Sequence, residues 1–245
     1  MLEVDSLHKR FGPIHAVRGI SFTVQRGEVL GFLGPNGAGK STTMRMITGF
    51  IPPTSGTARI NGHDIVRDAI AAKRQIGYLP ENAPVYNDMT VVRFLEFAAE
   101  IRGFARRERQ ARIEAAIGQC HLEQVRHQPI DTLSKGYKQR TCMAQAILHD
   151  PPVLIMDEPT DGLDPNQKHI VRTMIRDMAK DKVIVISTHI LEEVDAVCTR
   201  AIIIANGLIV FNGTPAELKA RGKSGRLDDV FRDLTSGEEQ VRKAS

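Results

Sequence analysis

A glycine-rich segment that ends in a lysine and two hydroxyl side chains carries the clearest chemistry in this sequence. Its spacing is G-x-x-x-x-G-K-[S/T], and it follows the apolar run Val29–Leu33. Behind it, Met44, Ile47 and Phe50 repeat at helical spacing. Glycines let backbone amides fold around phosphate oxygens at the positive end of a helix, while the lysine reaches the outer phosphates and the hydroxyl ligates Mg²⁺. The predicted phosphate-binding loop consists of Gly34, Pro35, Asn36, Gly37, Ala38, Gly39, Lys40, Ser41 and Thr42.

Two adjacent carboxylates, Asp157 and Glu158, follow the apolar run Val153–Met156. Ligands of α/β proteins bind at the carboxyl ends of parallel strands. We expect Asp157 to hold Mg²⁺ through water, and Glu158 to orient or deprotonate an attacking water molecule. By itself such a pair is more often a solvated strand end, so this prediction depends on the phosphate-binding loop nearby.

Ser134 and His189 stand at the boundaries of predicted elements. Ser134 is suited to cap the helix that begins near Lys135, and helix N-termini bind anions. His189 directly follows the apolar run Val183–Ser187. Taken alone, a capping serine and a single histidine are more often structural, so neither identifies a site without further evidence.

The elements that must position these residues alternate along the chain. Helical segments separate the predicted strands, and such alternation predicts a mostly parallel sheet covered on both faces. An N-terminal antiparallel β part precedes it and contains the turn signal Asn61-Gly62. The predicted fold class is therefore α/β, with a core of the P-loop NTPase type. The predicted strands are Ile20–Val24, Val29–Leu33, Ile76–Leu79, Val153–Met156, Val183–Ser187, Ala201–Ile204 and Leu208–Phe211.

A helical lobe is predicted at about residues 88–130, where Val91, Phe94, Leu95, Ala98 and Ala99 repeat at helical spacing. Five arginines lie on it. We interpret them as a solvated helical face rather than a nucleic-acid site. They are Arg102, Arg106, Arg107, Arg109 and Arg112.

Composition limits the remaining possibilities. The chain has 245 residues, of which 42% are hydrophobic and 25% charged, and its formal charge is +4. We expect one domain over residues 1–222 and a helical tail over 223–245. The apolar stripe of this tail packs on the domain or, as the alternative, binds a partner.

No apolar stretch approaches the ~20 residues of a membrane helix, and no signal peptide is evident. Three scattered cysteines predict a reducing compartment without disulfides.

Four motifs in this order resemble those of the ATP-binding cassette family: the phosphate-binding loop, the LSGGQ-like segment Leu133–Arg140, the strand-borne Asp157-Glu158, and His189 after the next strand. The resemblance covers Leu2 to about Arg221. The amino-acid sequences of two segments, Gly77–Asn82 and the C-terminal Leu227–Thr235, are most similar to those of ATPase subunits of ABC-2-type exporters. Among these exporters, they are most similar to the gliding-motility-associated and multidrug types.

The resemblance implies roles for further residues. Phe11 would stack on adenine, Val17 would pack on the ring, and His189 would contact the γ-phosphate. Asp164 belongs to a segment similar to the D-loop, which communicates between two subunits. Such proteins close each ATP between the phosphate-binding loop of one copy and the signature segment of another, here Ser134 and Gly136. ATP and Mg²⁺ are the implied cofactors.

The implied partners are a second copy of the chain and a membrane-spanning subunit gripped by the helical lobe, with no nucleic acid. The implied location is the cytoplasmic face of the inner (plasma) membrane. Two alternatives remain: a soluble cassette ATPase of DNA repair or translation, and a catalytically inactive regulatory cassette. The cargo is not predicted by this sequence.

The sequence departs from the family pattern at three positions. Glu81 stands where most relatives have glutamine, and we expect it to join Ser41 and Asp157 as a metal ligand. Lys135 and Tyr137 replace residues of the LSGGQ pattern, whereas Ser134 and Gly136 are kept.

Overall fold

The computed structural model describes residues 1–82, 84–221 and 229–235. Its strands are β1 Leu2–Phe11, β2 Ile14–Val24, β3 Val29–Leu33, β4 Ser55–Ile60, β5 His63–Asp64, β6 Ile76–Leu79, β7 Val153–Asp157, β8 Val183–Thr188, β9 Arg200–Ala205 and β10 Leu208–Gly213. Its helices are α1 Lys40–Ile47, α2 Ala69–Arg74, α3 Val91–Ile101, α4 Arg106–Gln119, α5 Lys135–Ile147, α6 Pro165–Ala179, α7 Leu191–Val197 and α8 Pro215–Ala220.

Two sheets form the body of the protein. The larger has the order β10-β9-β3-β8-β7-β6, in which every neighbouring pair is parallel except β10 with β9. The smaller has the order β2-β1-β4-β5 and is antiparallel. Every residue of β3, β7 and β8 is buried, as expected for parallel strands covered on both faces. The predicted α/β fold class with an N-terminal antiparallel part is confirmed.

The register of the parallel strands places three chain segments at one edge. Leu33 pairs with Thr188, and Asp157 pairs with Ser187. The residues that follow β3, β7 and β8 are therefore neighbours, although they are far apart in sequence. This edge is where the candidate site forms.

Two of the Asn-Gly pairs, at residues 61–62 and 206–207, make tight turns between antiparallel strands. Asn61 and Gly62 have φ of 48° and 85°, and Asn206 and Gly207 have φ of 49° and 80°. Two consecutive positive φ angles are typical of the hairpin turn that matches the twist of its strands.

The helical lobe consists mainly of α3 and α4. The α3 residues predicted from the spacing are all buried, and Ile113, Ala116 and Ile117 of α4 pack with them in the same core. A single β-bridge between Thr90 and Pro129 brings the start and end of the lobe together. On its surface, Arg109 pairs with Glu100 at 3.4 Å and Arg112 with Glu108 at 2.9 Å, contacts that fit a solvated face.

Helix α1 is shorter than its apolar pattern indicates. It ends at Ile47, Gly49 follows with φ 68°, and Phe50 is 74% exposed. The expectation that Phe50 continues the buried helical face is wrong, because the chain turns at Gly49 before reaching it.

The described part of the C-terminal segment packs on the body. Val230 is 3% exposed and lies in one core with Leu33 and Leu218, while Phe231 and Leu234 pack against that core. Leu227 and the predicted boundary at residues 222 and 223 lie outside the described residues. All three cysteines are free. Among the described helices, none combines the length and apolar character that crossing a membrane requires.

Candidate functional site

A cavity of about 290 Å³ opens at the carboxyl edge of the parallel sheet. It is bordered by the glycine-rich loop after β3, by the residues after β6 and β7, and by the residue after β8. Its lining residues are Ala16, Asn36, Gly37, Gly39, Lys40, Ser41, Thr42, Glu81, Glu158, Asp161 and His189. The structure thus brings together side chains contributed by separate parts of the chain.

The loop is held tightly at two of its glycines. Gly39 has φ 109°, and a Cβ there would lie 2.5 Å from the carbonyl oxygen of Ala16. A Cβ at Gly34 would lie 2.3 Å from the carbonyl oxygen of Ile204. Larger residues therefore cannot replace these glycines without moving the backbone. The result is an open cradle of loop amides ahead of α1, whose dipole also favours an anion.

Lys40 lies at the floor of this cradle and is only 7% exposed. Its Nζ donates to the carbonyl oxygens of Gly34 at 2.7 Å and Pro35 at 3.2 Å. Burial lowers its pKa, and the nearby carboxylates of Glu158, Asp157 and Glu81 oppose that shift. A cation with only loop carbonyls as hydrogen-bond partners can exchange them for phosphate oxygens.

Asp157 is 3% exposed, and its Oδ1 accepts a hydrogen bond from the hydroxyl of Ser187 on the neighbouring strand. This contact fixes one carboxylate oxygen and leaves the other available for a ligand. The sequence pattern does not single out Ser187 as a site residue, and only its place directly opposite the end of β7 could have indicated it.

Glu158 is held in a conformation that L-residues rarely adopt, with φ 50°. Its backbone amide donates to the carbonyl oxygen of Ser187 at 3.0 Å. Its Oε2 is 3.0 Å from Nδ1 of His189, so the two residues expected to act on the γ-phosphate end of a nucleotide are in direct contact. Burial raises the pKa of Glu158, while the hydrogen bond with His189 lowers it. A raised pKa suits a carboxylate that must accept a proton.

Glu81 is exposed on the cavity wall and contributes negative charge near Lys40. Together with the Ser41 hydroxyl and Asp157 it forms a set of hard oxygen donors. Mg²⁺ prefers such donors, usually one or two carboxylates with several waters and substrate phosphates. The described residues contain no group of three His, Cys, Asp or Glu side chains that could hold a metal by themselves. The donor set therefore fits a metal bound together with phosphate.

Phe11 does not line the cavity but offers an exposed aromatic face. It is 47% exposed, and Nζ of Lys9 lies 5.0 Å from its ring centroid. Val17 is fully buried and packs beneath the loop, with Cγ2 3.4 Å from the position of a Cβ at Gly39. We therefore correct the expectation for Val17: a fully buried side chain supports the loop and presents no surface to an adenine ring. Its neighbour Ala16 lines the cavity instead.

The remaining predicted ligands do not line this cavity. Ser134 caps α5, its Oγ accepting from the amide of Tyr137 at 3.5 Å. Gly136 lies against Gln167, whose Oε1 would be 2.6 Å from a Cβ there. Asp164 caps α6, accepting from the amides of Asn166 and Gln167. Within one copy these residues are structural, so any contact that they make with nucleotide requires a second copy.

Comparison with known proteins gives matches within one family. The model of the family described as ABC transporter matches residues 17–161. Nod factor export ATP-binding protein I of Ralstonia nicotianae is 37% identical over 219 residues, which are 89% of this chain and 68% of that protein. Some curated relatives are much longer, since this chain spans 25% of ABC transporter A family members 1 and 8 of Dictyostelium discoideum.

Solved structures share the fold over almost the whole chain. "Structure of ATP binding subunit of ABC transporter" superposes with a TM-score of 0.84 at 32% identity, covering 96% of this chain and 99% of the other. A dimeric post-hydrolysis state of the ATP-binding cassette MJ0796 bound to ADP and Pi has a TM-score of 0.79 at 22% identity, covering 88% and 99%. The second likeness concerns the fold alone.

Proposed function

The chain belongs to the ABC transporter family, whose ATP-binding subunits hydrolyse ATP, and from that membership we propose that it powers an exporter as its ATPase subunit. It works as a dimer with a separate membrane-spanning subunit. The exporter direction rests on relatives such as the Nod factor export protein and on the resemblance to ABC-2-type subunits.

One observation supports hydrolysis above all others: a single cavity joins Lys40, two of the proposed metal donors, Ser41 and Glu81, and Glu158, whose pKa is raised by burial. The contact between Glu158 and His189 serves ATP hydrolysis, which a regulatory cassette without ATPase activity does not perform. A cassette of DNA repair or translation is not favoured by the relatives either, since the Dictyostelium discoideum proteins are ABC transporters and the Ralstonia nicotianae protein serves export.

The residues of the cavity divide the chemistry between them. The loop amides from residue 34 to 39 and Nζ of Lys40 bind the phosphates of ATP. Ser41, Asp157 and Glu81 would hold Mg²⁺, which when bound neutralises phosphate charge. Glu158 accepts a proton from the attacking water, and His189 fixes the orientation of the Glu158 carboxylate. Phe11 stacks on the adenine ring.

A dimer is proposed because Ser134, Gly136 and Asp164 lie outside the cavity, although the resemblance to the family assigns them to the nucleotide site. Ser134 and Gly136 sit at the start of α5, a helix of 13 residues, and the first amides of a helix have no partner within the helix. When two copies meet head to tail, those amides close the γ-phosphate side of the partner's nucleotide and exclude water. Asp164, at the start of α6, lies at the same contact.

A groove beside the helical lobe is suited to the membrane-spanning subunit. It has a volume of about 290 Å³ and is lined in part by Phe50, Tyr78 and Arg102. The nearby side chains of Ile70 and Ile101 are 72% and 69% exposed. Exposed apolar side chains around a groove are typical of a protein interface. Docking there would hold the chain at the cytoplasmic face of the inner (plasma) membrane.

The experiment is an ATPase assay of the purified full-length chain with Mg-ATP. Lys40→Ala should weaken nucleotide binding, because it removes the buried cation of the loop. Glu158→Gln should bind ATP yet turn over at least about a hundredfold more slowly, because an amide cannot accept the proton. Turnover of Glu158→Gln within a factor of two of the wild type would contradict the assignment of the base.

A further inference from the structure

Arg102 directly follows α3 at the groove beside the helical lobe, where its side chain is half-buried. Among the residues that the structure describes, none forms a hydrogen bond, an ion pair or a ring contact with its guanidinium group. Burial lowers the pKa of Arg102, and no described carboxylate opposes that shift. A charged group that is withdrawn from water normally gains a partner of opposite charge.

Other arginines of the lobe have such a partner. Three of them have side chains that are only 28% to 30% exposed, and each forms an ion pair with a glutamate. These pairs are Arg109–Glu100, Arg112–Glu108 and Arg126–Glu114. The dipole of α3 favours a cation at the position of Arg102, but a helix end supplies only a partial charge. Arg102 therefore lacks the counter-charge that these three arginines have.

The surroundings of Arg102 are basic. Nε2 of His149 donates to the carbonyl oxygen of Ile76 at 3.0 Å, whereas its buried Nδ1 has no hydrogen-bond partner within the described part of the chain. Burial lowers the pKa of His149 to about 4, and the positive charge of Arg102 adds to the shift. Lys73, which also lines the groove, is exposed and forms no ion pair with a described residue. None of the described side chains that line the groove is a carboxylate, so the groove offers positive charge without a counter-charge.

We propose that the segment of the membrane-spanning subunit that fills this groove carries a carboxylate, and that Arg102 and Lys73 bind it. The proposal rests on the function proposed above, which assigns the groove to that subunit. Phe50 and Tyr78 line the groove beside the two cations, and their ring centroids are 6.4 Å apart. These rings gain from apolar contact, which a free inorganic anion cannot supply. An acidic side chain on an apolar segment supplies both kinds of contact.

The chemistry of Arg102 suits this role. Its guanidinium group presents paired N–H donors that match the two oxygens of a carboxylate. Because Arg102 is already half-buried in the free chain, docking removes little further water from it. A segment with an apolar or basic residue at the same position leaves the arginine unpaired or repels it. Arg102 thus determines which segment docks, whereas Phe50 and Tyr78 supply contact area.

The test measures the binding of two synthetic peptides to the full-length chain by fluorescence anisotropy. Each peptide forms an amphipathic helix of about 15 residues with leucines on one face. The two differ only at the centre of that face, which carries glutamate in one and glutamine in the other. We expect the wild type to bind the glutamate peptide about tenfold more tightly, the effect of one hydrogen bond to a charged group. Arg102→Gln should lose most of that preference.

Arg93→Gln is the matched control, because Arg93 lies on the same helix and its exposed side chain pairs with Glu96 at 3.0 Å, outside the groove. It should keep the tenfold preference. Equal binding of the two peptides by the wild type would overturn the carboxylate while leaving docking in the groove intact. An undiminished preference in Arg102→Gln would overturn the assignment to Arg102. Binding of neither peptide would overturn docking of an acidic, apolar helix, a failure distinct from loss of ATPase activity.

Thermal unfolding of the free chain tests whether Arg102 lacks a partner there. Arg102→Met keeps the apolar stem and removes the charge, so Tm should not fall. Arg109→Met is the comparison, because Arg109 pairs with Glu100 at 3.4 Å and donates to the carbonyl oxygen of Phe104 at 3.0 Å, and its Tm should fall. A decrease in Arg102→Met as large as that in Arg109→Met would overturn the proposal, since Arg102 would then serve the fold of the free chain.

Discussion

Glu81 places a carboxylate on the cavity wall, at the position where the resemblance to the family leads us to expect a glutamine. It lies among the carboxylates that act on Lys40. A carboxylate is a stronger ligand for Mg²⁺ than an amide oxygen, and it repels the phosphates when no metal is bound.

Glu81→Gln should therefore raise the Mg²⁺ concentration required for half-maximal ATPase activity. Binding of ATP without metal should be equal or tighter, since the repulsion is removed. A Mg²⁺ titration at fixed ATP compares the two proteins. Superimposable curves would show that Glu81 does not approach the metal.

Glu158 should determine the acidic limb of the pH–rate profile. Burial raises its pKa above the ordinary 4.5, and the carboxylate form is required, so kcat/KM falls as pH decreases through that raised value. The hydrogen bond with His189 opposes the shift, hence His189→Ala should move the limb to higher pH.

The measurement is kcat/KM against pH for the wild type, His189→Ala and His169→Ala. His169 is a residue of α6 outside the cavity and serves as the control. An acidic limb at the same pH in His189→Ala and the wild type would show that the contact does not tune Glu158.

At the scale of elements, the carboxyl ends of β3, β7 and β8 could be predicted from the sequence to within one residue. The apolar runs predict parallel strands, and parallel strands bring the residues after β3, β7 and β8 to one edge. Side-chain detail could not be predicted in this way. The contact of Ser187 with Asp157, the burial of Val17 and the exposure of Phe50 each depend on the register and packing of neighbouring elements.

An ion pair joins α6 to α7 and thus supports the segment that carries His189. Nη2 of Arg172 lies 3.1 Å from Oε1 of Glu193, whose side chain is only 1% exposed. Removing one partner of a buried pair leaves the other without compensation. Glu193→Gln should reduce the free energy of unfolding by about 2 kcal/mol, since the neutral amide gives up the charge but retains a hydrogen bond.

Urea unfolding measures this effect. The control is Asp181→Asn, which breaks the exposed pair of Arg26 and Asp181 and should cost less than about 0.5 kcal/mol. Equal stability losses in the two variants would contradict a special contribution from the contact between α6 and α7.

At the scale of the whole molecule, the residues proposed to contact nucleotide lie on two separate surfaces of the chain. The cavity carries residues of the proposed phosphate-binding loop and the proposed catalytic pair Glu158 and His189, whereas Ser134 and Gly136 lie outside it on α5. In the proposed function, these two surfaces close on one nucleotide in a head-to-tail dimer that forms when ATP is bound.

The most direct measurement is the mass in solution of the Glu158→Gln chain, with and without Mg-ATP, compared with the same chain carrying Ser134→Arg. Gln124→Arg, at an exposed position of the lobe, controls for the added arginine. We expect twice the mass of one chain with Mg-ATP in the parent and the control, and a single chain after Ser134→Arg, because bulk at the start of α5 blocks the contact. A dimer of Ser134→Arg as stable as the parent's would contradict closure of the nucleotide by a second copy.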